Sequence, residues 1–365
     1  MKQYTLAHRK DFSGITLNPD APQPAIQSPT EVLIKINALS LNARDLQIAT
    51  GSYPAPHDIP ENLVPVSDAA GEVIECGSKV NLWKEGDKVC TVVFQGHDQD
   101  EDVQYHTMIR GLGGAINGVA QEYFVVDQSQ LVAMPAHMTY EEGSTLTIAA
   151  ATAWSSLYGH HPKLKAGDTC LCLGSGGVSL FAAQIALNAG AKVIITSSSD
   201  KKIAEVKRLL RPLVRSASPD ELLQTINYNS IPDWDQEVKK LTGGKGVDFT
   251  IEISGRATLG KSIRSTRSGG LVAISGYLSD YAELDPKIKE EGKLQHHGGC
   301  QFDAVNARGN FVGNKQQFMD MNRAFELGGV RPVVDKVFEF DQLKEAYDYL
   351  QSAKHIGKVV VKVGA

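Results

Sequence analysis

The sequence predicts an α/β protein built from a doubly wound parallel sheet domain and a β-rich domain. The segment from Thr169 to Ser199 contains, in order, an apolar strand, a glycine turn, an amphipathic helix and a second apolar strand. This is the order of a βαβ unit in a parallel sheet. Before it, short apolar runs alternate with Pro- and Gly-rich turns, as in a β-rich domain. The length of 365 residues also exceeds what one core usually serves.

The predicted elements follow from apolar runs and their spacing. Strands are predicted before the βαβ unit at Glu31–Ala38, Gly71–Glu75, Lys88–Phe94 and Gln121–Val126, and after it at Val247–Ile253 and Gly270–Ile274. The closing segment, Pro332 to Val363, predicts strand, helix and strand, and is expected to return to the first domain. These elements give a β-rich domain over 1–147 and 315–365, and a parallel-sheet domain over 148–314.

The glycine turn of the βαβ unit predicts a phosphate-binding site. Gly174, Gly176 and Gly177 remove side chains, so backbone N–H groups and the helix starting near Val178 can meet a pyrophosphate. Ser179 stands where a third glycine is typical, and it is small enough to keep the helix close to the sheet. Such turns also serve as plain connections, but the flanking strand and helix favour a dinucleotide.

The end of the second strand indicates which dinucleotide is held. An acidic residue there accepts hydrogen bonds from the adenine ribose and repels a 2′-phosphate, whereas this chain has Ser197 and Ser198 with Lys202 one helical turn further on. Hydroxyl donors and a lysine suit a phosphate dianion, so NADP(H) is predicted over NAD(H). The alternative is that the serines cap the next helix and the lysine is solvated, and both can hold at once.

Charge and hydropathy exclude several classes of partner. The 37 basic and 42 acidic residues give a net charge of −5, with no long run of either sign. This argues against a nucleic-acid or membrane surface and favours a small-molecule substrate. The N-terminus lacks the apolar core of a signal peptide and no apolar run has membrane-spanning length, so a cytoplasmic location is expected.

Motifs along nearly the whole chain resemble the medium-chain dehydrogenase/reductase superfamily. They are NARDLQIATGSYP (Asn42–Pro54), VSDAAGEVIECGSKV (Val66–Val80), TAWSSL (Thr152–Leu157), LKAGDTCLCLGSGGVS (Leu164–Ser179), GKGVDFTIEISG (Gly244–Gly255) and HIGKVVVKV (His355–Val363). The glycine turn most resembles a zinc-independent branch, alcohol dehydrogenase-like or quinone oxidoreductase-like. The resemblance implies a Rossmann cofactor domain, a GroES-like catalytic domain and NAD(P)-dependent hydride transfer.

The resemblance also carries cofactor contacts to particular positions of this chain. Together with the glycine turn and the serines, the implied cofactor-binding residues are Thr152, Tyr228, Ser254, Ser275, Gly276, Phe311 and Val312. Each lies near the carboxyl end of a predicted strand or at a helix start, where open α/β sheets bind ligands.

A zinc ion is not expected. Zinc-dependent relatives place cysteine and histidine ligands where this chain has Asn42, Ser67–Asp68 and Ile148. Ile148 cannot ligate a metal, and the other positions lack the thiolate and imidazole donors that zinc prefers. The region Gly96–Gly118, which matches the lobe of four cysteines around a second zinc in those relatives, contains no cysteine.

Three residues are candidates for polar contact with substrate. Tyr53 lies where zinc-independent relatives often carry an active-site tyrosine, and its phenol can donate a proton or a hydrogen bond. Asn42 replaces a zinc ligand, so its amide can orient substrate, and Asp68 can orient a donor or water. The alternatives are a core or rim tyrosine and a structural hydrogen bond of Asn42.

The predicted reaction is hydride transfer from NADPH to an activated C=C bond, in an enone or quinone, or to a C=O bond. The alternatives are alcohol or carbonyl chemistry at a carbinol centre and a weakly catalytic NADPH-binding protein. A homodimer is expected, by extension of the cofactor-domain sheet near Gly270–Ile274. The long segment Tyr277–Arg308, with His296 and His297, is expected to overhang the substrate site.

Overall fold

The computed structural model describes residues 1–55, 57–99, 102–215, 219–278, 300 and 303–364. The chain divides into two units, each described by itself. Unit 1 comprises Met1–Ala151 and Gly313–Ala365, and unit 2 comprises Thr152–Val312. The segment Tyr277–Arg308 is expected to overhang the substrate site. Most of it, including His296 and His297, lies outside the described residues.

The strands, in chain order, are β1 (Gln3–Leu6), β2 (Ile15–Asn18), β3 (Glu31–Leu41), β4 (Asp68–Cys76), β5 (Lys88–Thr91), β6 (Tyr123–Asp127), β7 (Leu131–Ala133), β8 (Thr169–Cys172), β9 (Lys192–Ser197), β10 (Leu223–Asn227), β11 (Val247–Glu252), β12 (Thr266–Ile274), β13 (Asn306–Gly309), β14 (Val334–Glu339) and β15 (Lys358–Lys362).

The α-helices are α1 (Ala43–Ala49), α2 (Tyr105–Met108), α3 (Tyr140–Gly143), α4 (Ala151–Trp154), α5 (Gly177–Asn188), α6 (Asp200–Leu210), α7 (Pro219–Leu222), α8 (Trp234–Leu241), α9 (Leu259–Ser265), α10 (Lys315–Gly328) and α11 (Leu343–Gln351). Two π-helical turns, Leu146–Ala150 and Ser155–Gly159, flank α4. None of the helices in the described ranges is both long and apolar enough to cross a membrane.

Unit 1 is built on a mainly antiparallel sheet with the strand order β14-β15-β3-β4-β5-β7, and β6 also pairs with β3. The closing segment therefore returns to the first sheet, because β15 lies against β3. The register sets Val359 opposite Leu41 and Asp68 opposite Ser40. These pairs bring β15, β3 and β4 together at the carboxyl end of β3.

Unit 2 is built on a sheet with the order β10-β9-β8-β11-β12-β13, and all of its strand pairs are parallel. Numbered by appearance within the unit, this is the doubly wound order 3-2-1-4-5-6 of a Rossmann fold, so the predicted fold class is confirmed. The order reverses between β8 and β11. Ligands of such sheets bind there, outside the carboxyl ends of the strands.

The strand at Gly270–Ile274 does not lie at the edge of this sheet, so the predicted place for sheet extension is wrong. It belongs to β12, which pairs with β11 on one side and β13 on the other. The strand β13 has the polar sequence NARG, and hydrophobic patterning gives no indication of such a strand. The homodimer itself stays a prediction.

Candidate active site

The glycine turn of unit 2 leaves open space at the start of a helix. It runs from the end of β8 to Gly177, where α5 begins. Gly174 has φ +75°, a conformation that glycine adopts without strain. A Cβ added to Gly176 would meet no atom within 4 Å. Since helix N-termini attract phosphates through free N–H groups, the residues of this turn fit the diphosphate of a dinucleotide.

Ser179 fills the position where a third glycine is typical. Its side chain is fully buried, and its Oγ donates a hydrogen bond to the carbonyl of Leu173 over 2.5 Å. The hydroxyl therefore ties the first turn of α5 back to the strand end. This contact explains how a serine keeps the helix close to the sheet.

The carboxyl ends of β9 and β10 bring together the residues expected at the adenosine end of the cofactor. The N–H of Tyr228 donates to the carbonyl of Ser197 over 3.0 Å, and the Tyr228 side chain is 39% exposed. Asp200 follows the serines, but its Oδ1 accepts a hydrogen bond from Asn227 over 2.7 Å. Lys202 is half-buried in the first turn of α6. The site thus combines serine hydroxyls and a lysine with a carboxylate that already has a partner.

A buried carboxylate that sequence reasoning missed organises the loop after β11. Glu252 is fully buried, and its Oε1 accepts hydrogen bonds from the N–H groups of Ser254 and Gly255 at 2.8 and 3.0 Å. The hydroxyls of Thr258 and Ser262 also donate to this carboxylate. Burial raises the pKa of Glu252, whereas these donors lower it. The predicted site residue Ser254 is therefore held by its backbone.

A second buried network joins the other residues expected at the nicotinamide. The Nδ2 of Asn310 donates to the Oγ atoms of Ser156 and Ser275 at 2.9 and 3.2 Å, and those two hydroxyls lie 3.1 Å apart. Ser156 also donates to the carbonyl of Thr152. Gly276 follows, and a Cβ at this position would clash with the carbonyl oxygen of Ile253, the residue after β11. Phe311, beside Asn310, is 49% exposed, and Val312 is half-buried.

In unit 1, three strands converge on a buried polar cluster. The Nζ of Lys358 donates hydrogen bonds to the carbonyl of Leu41 and to Oδ1 of Asn42, each over 2.6 Å. Asp68 is fully buried, and it accepts hydrogen bonds from Ser67 at 2.8 Å and from Ser40 at 3.3 Å. Burial lowers the pKa of Lys358, while the charges of Asp68 and Asp45 raise it.

The helix α1 extends this cluster toward Tyr53. The N–H of Asn42 donates to Oδ2 of Asp45 over 2.7 Å, which fixes the start of α1. Nη1 of Arg44 lies 3.8 Å from Oδ1 of Asp45. The guanidinium carbon of Arg44 lies 5.5 Å from the centre of the Tyr53 ring. Burial raises the pKa of Asp45 to about 6, partly opposed by Arg44. Tyr53 is half-buried and borders the apolar core.

The residues at the positions of zinc ligands do not fit a zinc ion. Oδ1 of Asn42 faces an ammonium group, Asp68 has hydrogen-bond donors on both oxygens, and Ile148 has an apolar side chain. Structural and catalytic zinc sites use thiolate, imidazole and carboxylate donors in tetrahedral sets. Within the described part of the chain, no group of three or more His, Cys, Asp or Glu is arranged to hold a metal ion.

A cavity of about 320 Å³ in unit 2 lies away from the glycine turn. Its lining includes Thr169, Lys192 and Asp248, which stand at or next to the amino ends of β8, β9 and β11. Asp248 is already engaged by the N–H of Thr169 and the guanidinium of Arg267. Open α/β sheets bind ligands at the opposite, carboxyl edge, which is the edge where the glycine turn lies.

Two family models match the chain. Residues 28–136 match the alcohol dehydrogenase GroES-like domain, and residues 177–327 match the zinc-binding dehydrogenase domain. These matches cover the catalytic-type and the cofactor-type halves of one enzyme architecture. The chain belongs to the medium-chain dehydrogenase/reductase superfamily, and it is an oxidoreductase of that type.

Similar proteins include both alcohol dehydrogenase-like and reductase members. A zinc-type alcohol dehydrogenase-like protein of Schizosaccharomyces pombe is 39% identical over 93% of this chain and 93% of its own length. A crotonyl-CoA reductase of Streptomyces collinus is 28% identical over 84% of this chain and 68% of its own length. A quinone oxidoreductase of Rattus norvegicus is 26% identical over 96% of this chain and 95% of its own length.

Solved structures share the architecture over almost the full chain. An NAD-dependent alcohol dehydrogenase superposes with a TM-score of 0.82 at 26% identity, covering 100% of both chains. A 2-octenoyl-CoA carboxylase reductase, in complex with NADP and 2-octenoyl-CoA, gives a TM-score of 0.78 at 25% identity. It covers 99% of this chain and 87% of that one.

Proposed function

We propose that the protein is a zinc-independent reductase that uses NADPH to reduce an activated C=C or C=O bond, with enones and quinones as the favoured acceptors. The observation that carries this proposal is the buried ammonium of Lys358, 2.6 Å from Oδ1 of Asn42, where zinc-dependent relatives have a metal ligand. A site with hydrogen-bond donors in place of a Lewis acid suits acceptors whose oxygen gains negative charge during reduction.

The choice of NADPH is supported by the end of β9. Ser197, Ser198 and Lys202 would hold the 2′-phosphate, with Tyr228 beside them, and the turn from Gly174 to Val178 would hold the diphosphate. The similar 2-octenoyl-CoA carboxylase reductase binds NADP. When bound, NADPH supplies the hydride.

The chain's own residues would bind and orient the acceptor. Tyr53 and Asn42 would donate hydrogen bonds to its oxygen, and Tyr53 would deliver the proton that the oxygen or the α-carbon requires. The guanidinium beside the Tyr53 ring restricts where that phenol can lie. Asp68, with hydrogen bonds on both oxygens, would fix the strand β4 beneath these groups and make no contact with the reacting atoms.

A second candidate is reduction or dehydrogenation at a carbinol centre. The similarity to the zinc-type alcohol dehydrogenase-like protein of Schizosaccharomyces pombe favours it. This candidate predicts turnover of unactivated aldehydes, ketones or alcohols, whereas the first predicts turnover of conjugated acceptors.

The test is the loss of NADPH absorbance, with NADH in parallel, after exhaustive treatment with EDTA. Cyclohex-2-enone, 1,4-naphthoquinone and crotonyl-CoA represent conjugated acceptors, and butanal and butanone represent simple carbonyl compounds. Turnover of a conjugated acceptor that survives EDTA and prefers NADPH supports the proposal. Turnover restored only by added zinc, or confined to simple carbonyl compounds, contradicts it and favours the second candidate.

A further inference from the structure

Lys358 fixes which way the amide of Asn42 points. A lysine ammonium has three donors and no acceptor, so the Asn42 atom 2.6 Å from Nζ must be the carbonyl oxygen. The amide nitrogen then points away from the ammonium. The O and N atoms of an asparagine amide are usually told apart from the surrounding hydrogen bonds. Here the lysine alone decides, because it can only donate.

Position and burial make this contact a fixed part of unit 1. Lys358 is 3% exposed and begins β15, and the pairing of Val359 with Leu41 sets it beside the end of β3. Its second hydrogen bond, to the carbonyl of Leu41, holds Nζ in place. The charges of Asp45 and Asp68 act on the ammonium and offset part of its burial cost.

The amide nitrogen of Asn42 has no acceptor. Nδ2 is buried, and among the described residues it has no hydrogen-bond partner. A buried donor without a partner costs free energy, and native proteins rarely leave one. A carbonyl oxygen is an acceptor of the right chemistry for this donor.

We propose that Lys358 is a positioning residue that aims and polarises the Asn42 amide, so that Nδ2–H donates to the carbonyl oxygen of the substrate. This inference rests on the proposed function, because it concerns the acceptor of that reaction. A cation bound to the amide oxygen withdraws electron density from the nitrogen and strengthens its N–H donor, as in other hydrogen-bonded chains. The ammonium thus acts on the substrate through Asn42 and does not touch it.

A double-mutant cycle of Lys358→Met and Asn42→Ala tests the coupling. We expect Asn42→Ala, which removes the donor itself, to lower kcat/KM for the best acceptor by about 100-fold or more. Lys358→Met leaves the amide in place and should cost about 10- to 100-fold. The double variant should be no worse than Asn42→Ala by more than about threefold, because coupled residues are not additive. Losses that multiply in the double variant would overturn the proposal.

Controls separate positioning from folding. Lys362→Met removes an exposed lysine of the same strand and should leave kcat/KM, Tm and NADPH affinity unchanged. Lys358→Met should keep NADPH affinity. If that variant does not fold, the same cycle is run with Lys358→Arg, which keeps the charge but moves the donors. It should lower kcat/KM when Asn42 is present and have no effect in Asn42→Ala.

An infrared measurement gives a readout without cofactor or turnover. Cyclohex-2-enone labelled with ¹³C at its carbonyl is bound to the protein, and its C=O stretch is recorded. We expect the stretch to move to higher frequency in Asn42→Ala and also in Lys358→Met, relative to the unsubstituted protein. An unchanged stretch in Lys358→Met, together with a shift in Asn42→Ala, would show that Lys358 only balances the neighbouring carboxylates.

The outcomes also separate this inference from the proposed function. If the unsubstituted protein reduces none of the acceptors, the proposed function fails, and an unshifted carbonyl stretch in both variants overturns the inference as well. If the protein reduces a conjugated acceptor but the cycle is additive, the inference alone fails.

Discussion

The N–H of Gly174 donates a hydrogen bond to the hydroxyl of Thr196 over 3.0 Å, and this contact ties the glycine turn to the last part of β9. The two strand ends that would hold the diphosphate and the adenosine are therefore linked directly. Thr196 itself is buried. The turn is held in shape by the sheet before any ligand binds.

Gly176→Ala separates cofactor binding from folding. Its added Cβ meets no atom of the chain within 4 Å, and its φ of −80° suits alanine, so Tm without cofactor should not change. The methyl group would occupy space that the diphosphate needs, and the Kd for NADPH should rise by about tenfold or more. Fluorescence titration and thermal unfolding give the two quantities. An unchanged Kd for NADPH in Gly176→Ala would exclude the turn from cofactor binding.

Lys202→Ala tests the preference for the 2′-phosphate. Loss of a charged donor to a phosphate should weaken NADPH by about tenfold or more and NADH by less than about twofold. Isothermal titration with both cofactors measures the difference. Lys201→Ala removes the exposed neighbour and should change both affinities little. Equal losses for NADPH and NADH in Lys202→Ala would contradict a phosphate role.

Tyr53→Phe tests the predicted proton donor. Removing the phenol oxygen should lower kcat/KM by about 10- to 100-fold, at the low end of general-acid effects. NADPH affinity should stay nearly unchanged, because the cofactor contacts are assigned to unit 2. Tyr105→Phe, at a side chain that is 62% exposed, is the control. Unaltered steady-state turnover in Tyr53→Phe would exclude the tyrosine from the mechanism.

Asp45 gives a prediction for stability against pH. Burial raises its folded pKa from the ordinary 3.8 to about 6, so the folded state binds a proton more tightly than the unfolded state. Between the unfolded and the folded pKa of Asp45, the free energy of unfolding therefore increases as the pH falls and decreases as the pH rises. Relative to Asp45→Asn, the unsubstituted protein should therefore be less stable at pH 7 than at pH 4.5.

The measurement is Tm for both proteins across that range, with the surface variant Asp320→Asn as control. A difference between the two Tm values that stays constant with pH, or changes with the opposite sign, would show that Arg44 and Lys358 keep Asp45 ionised at low pH.

Local patterns were sufficient for the βαβ unit but not for every strand. The apolar strands and the glycine turn predicted the βαβ unit, and the structure has it as β8, α5 and β9. The predicted strand at Lys88–Phe94 ends earlier, at Thr91, because apolar residues continue past the last residue that pairs with β7. The short polar strand β13 was missed for the opposite reason, since it has no apolar run.

Lys358, which sequence reasoning missed, reaches a predicted site residue across a long stretch of chain. Asn42 and Lys358 are 316 positions apart, and only the pairing of β15 with β3 brings them together. The motif HIGKVVVKV was visible in the sequence, but nothing local shows that its first lysine is buried beside Asn42. Glu252 is the last residue of β11, and its role depends on the loop that folds back onto it.

In the proposed reaction, hydride from NADPH is transferred to the β-carbon of a conjugated acceptor. The most direct test uses NADPH carrying deuterium at the transferred position, with cyclohex-2-enone as acceptor and NMR of the product. We expect deuterium at the β-carbon of cyclohexanone, in a reaction that survives EDTA. Deuterium at the carbinol carbon of cyclohex-2-enol would contradict conjugated C=C bonds as the favoured acceptors and would favour the second candidate, reduction at a carbinol centre.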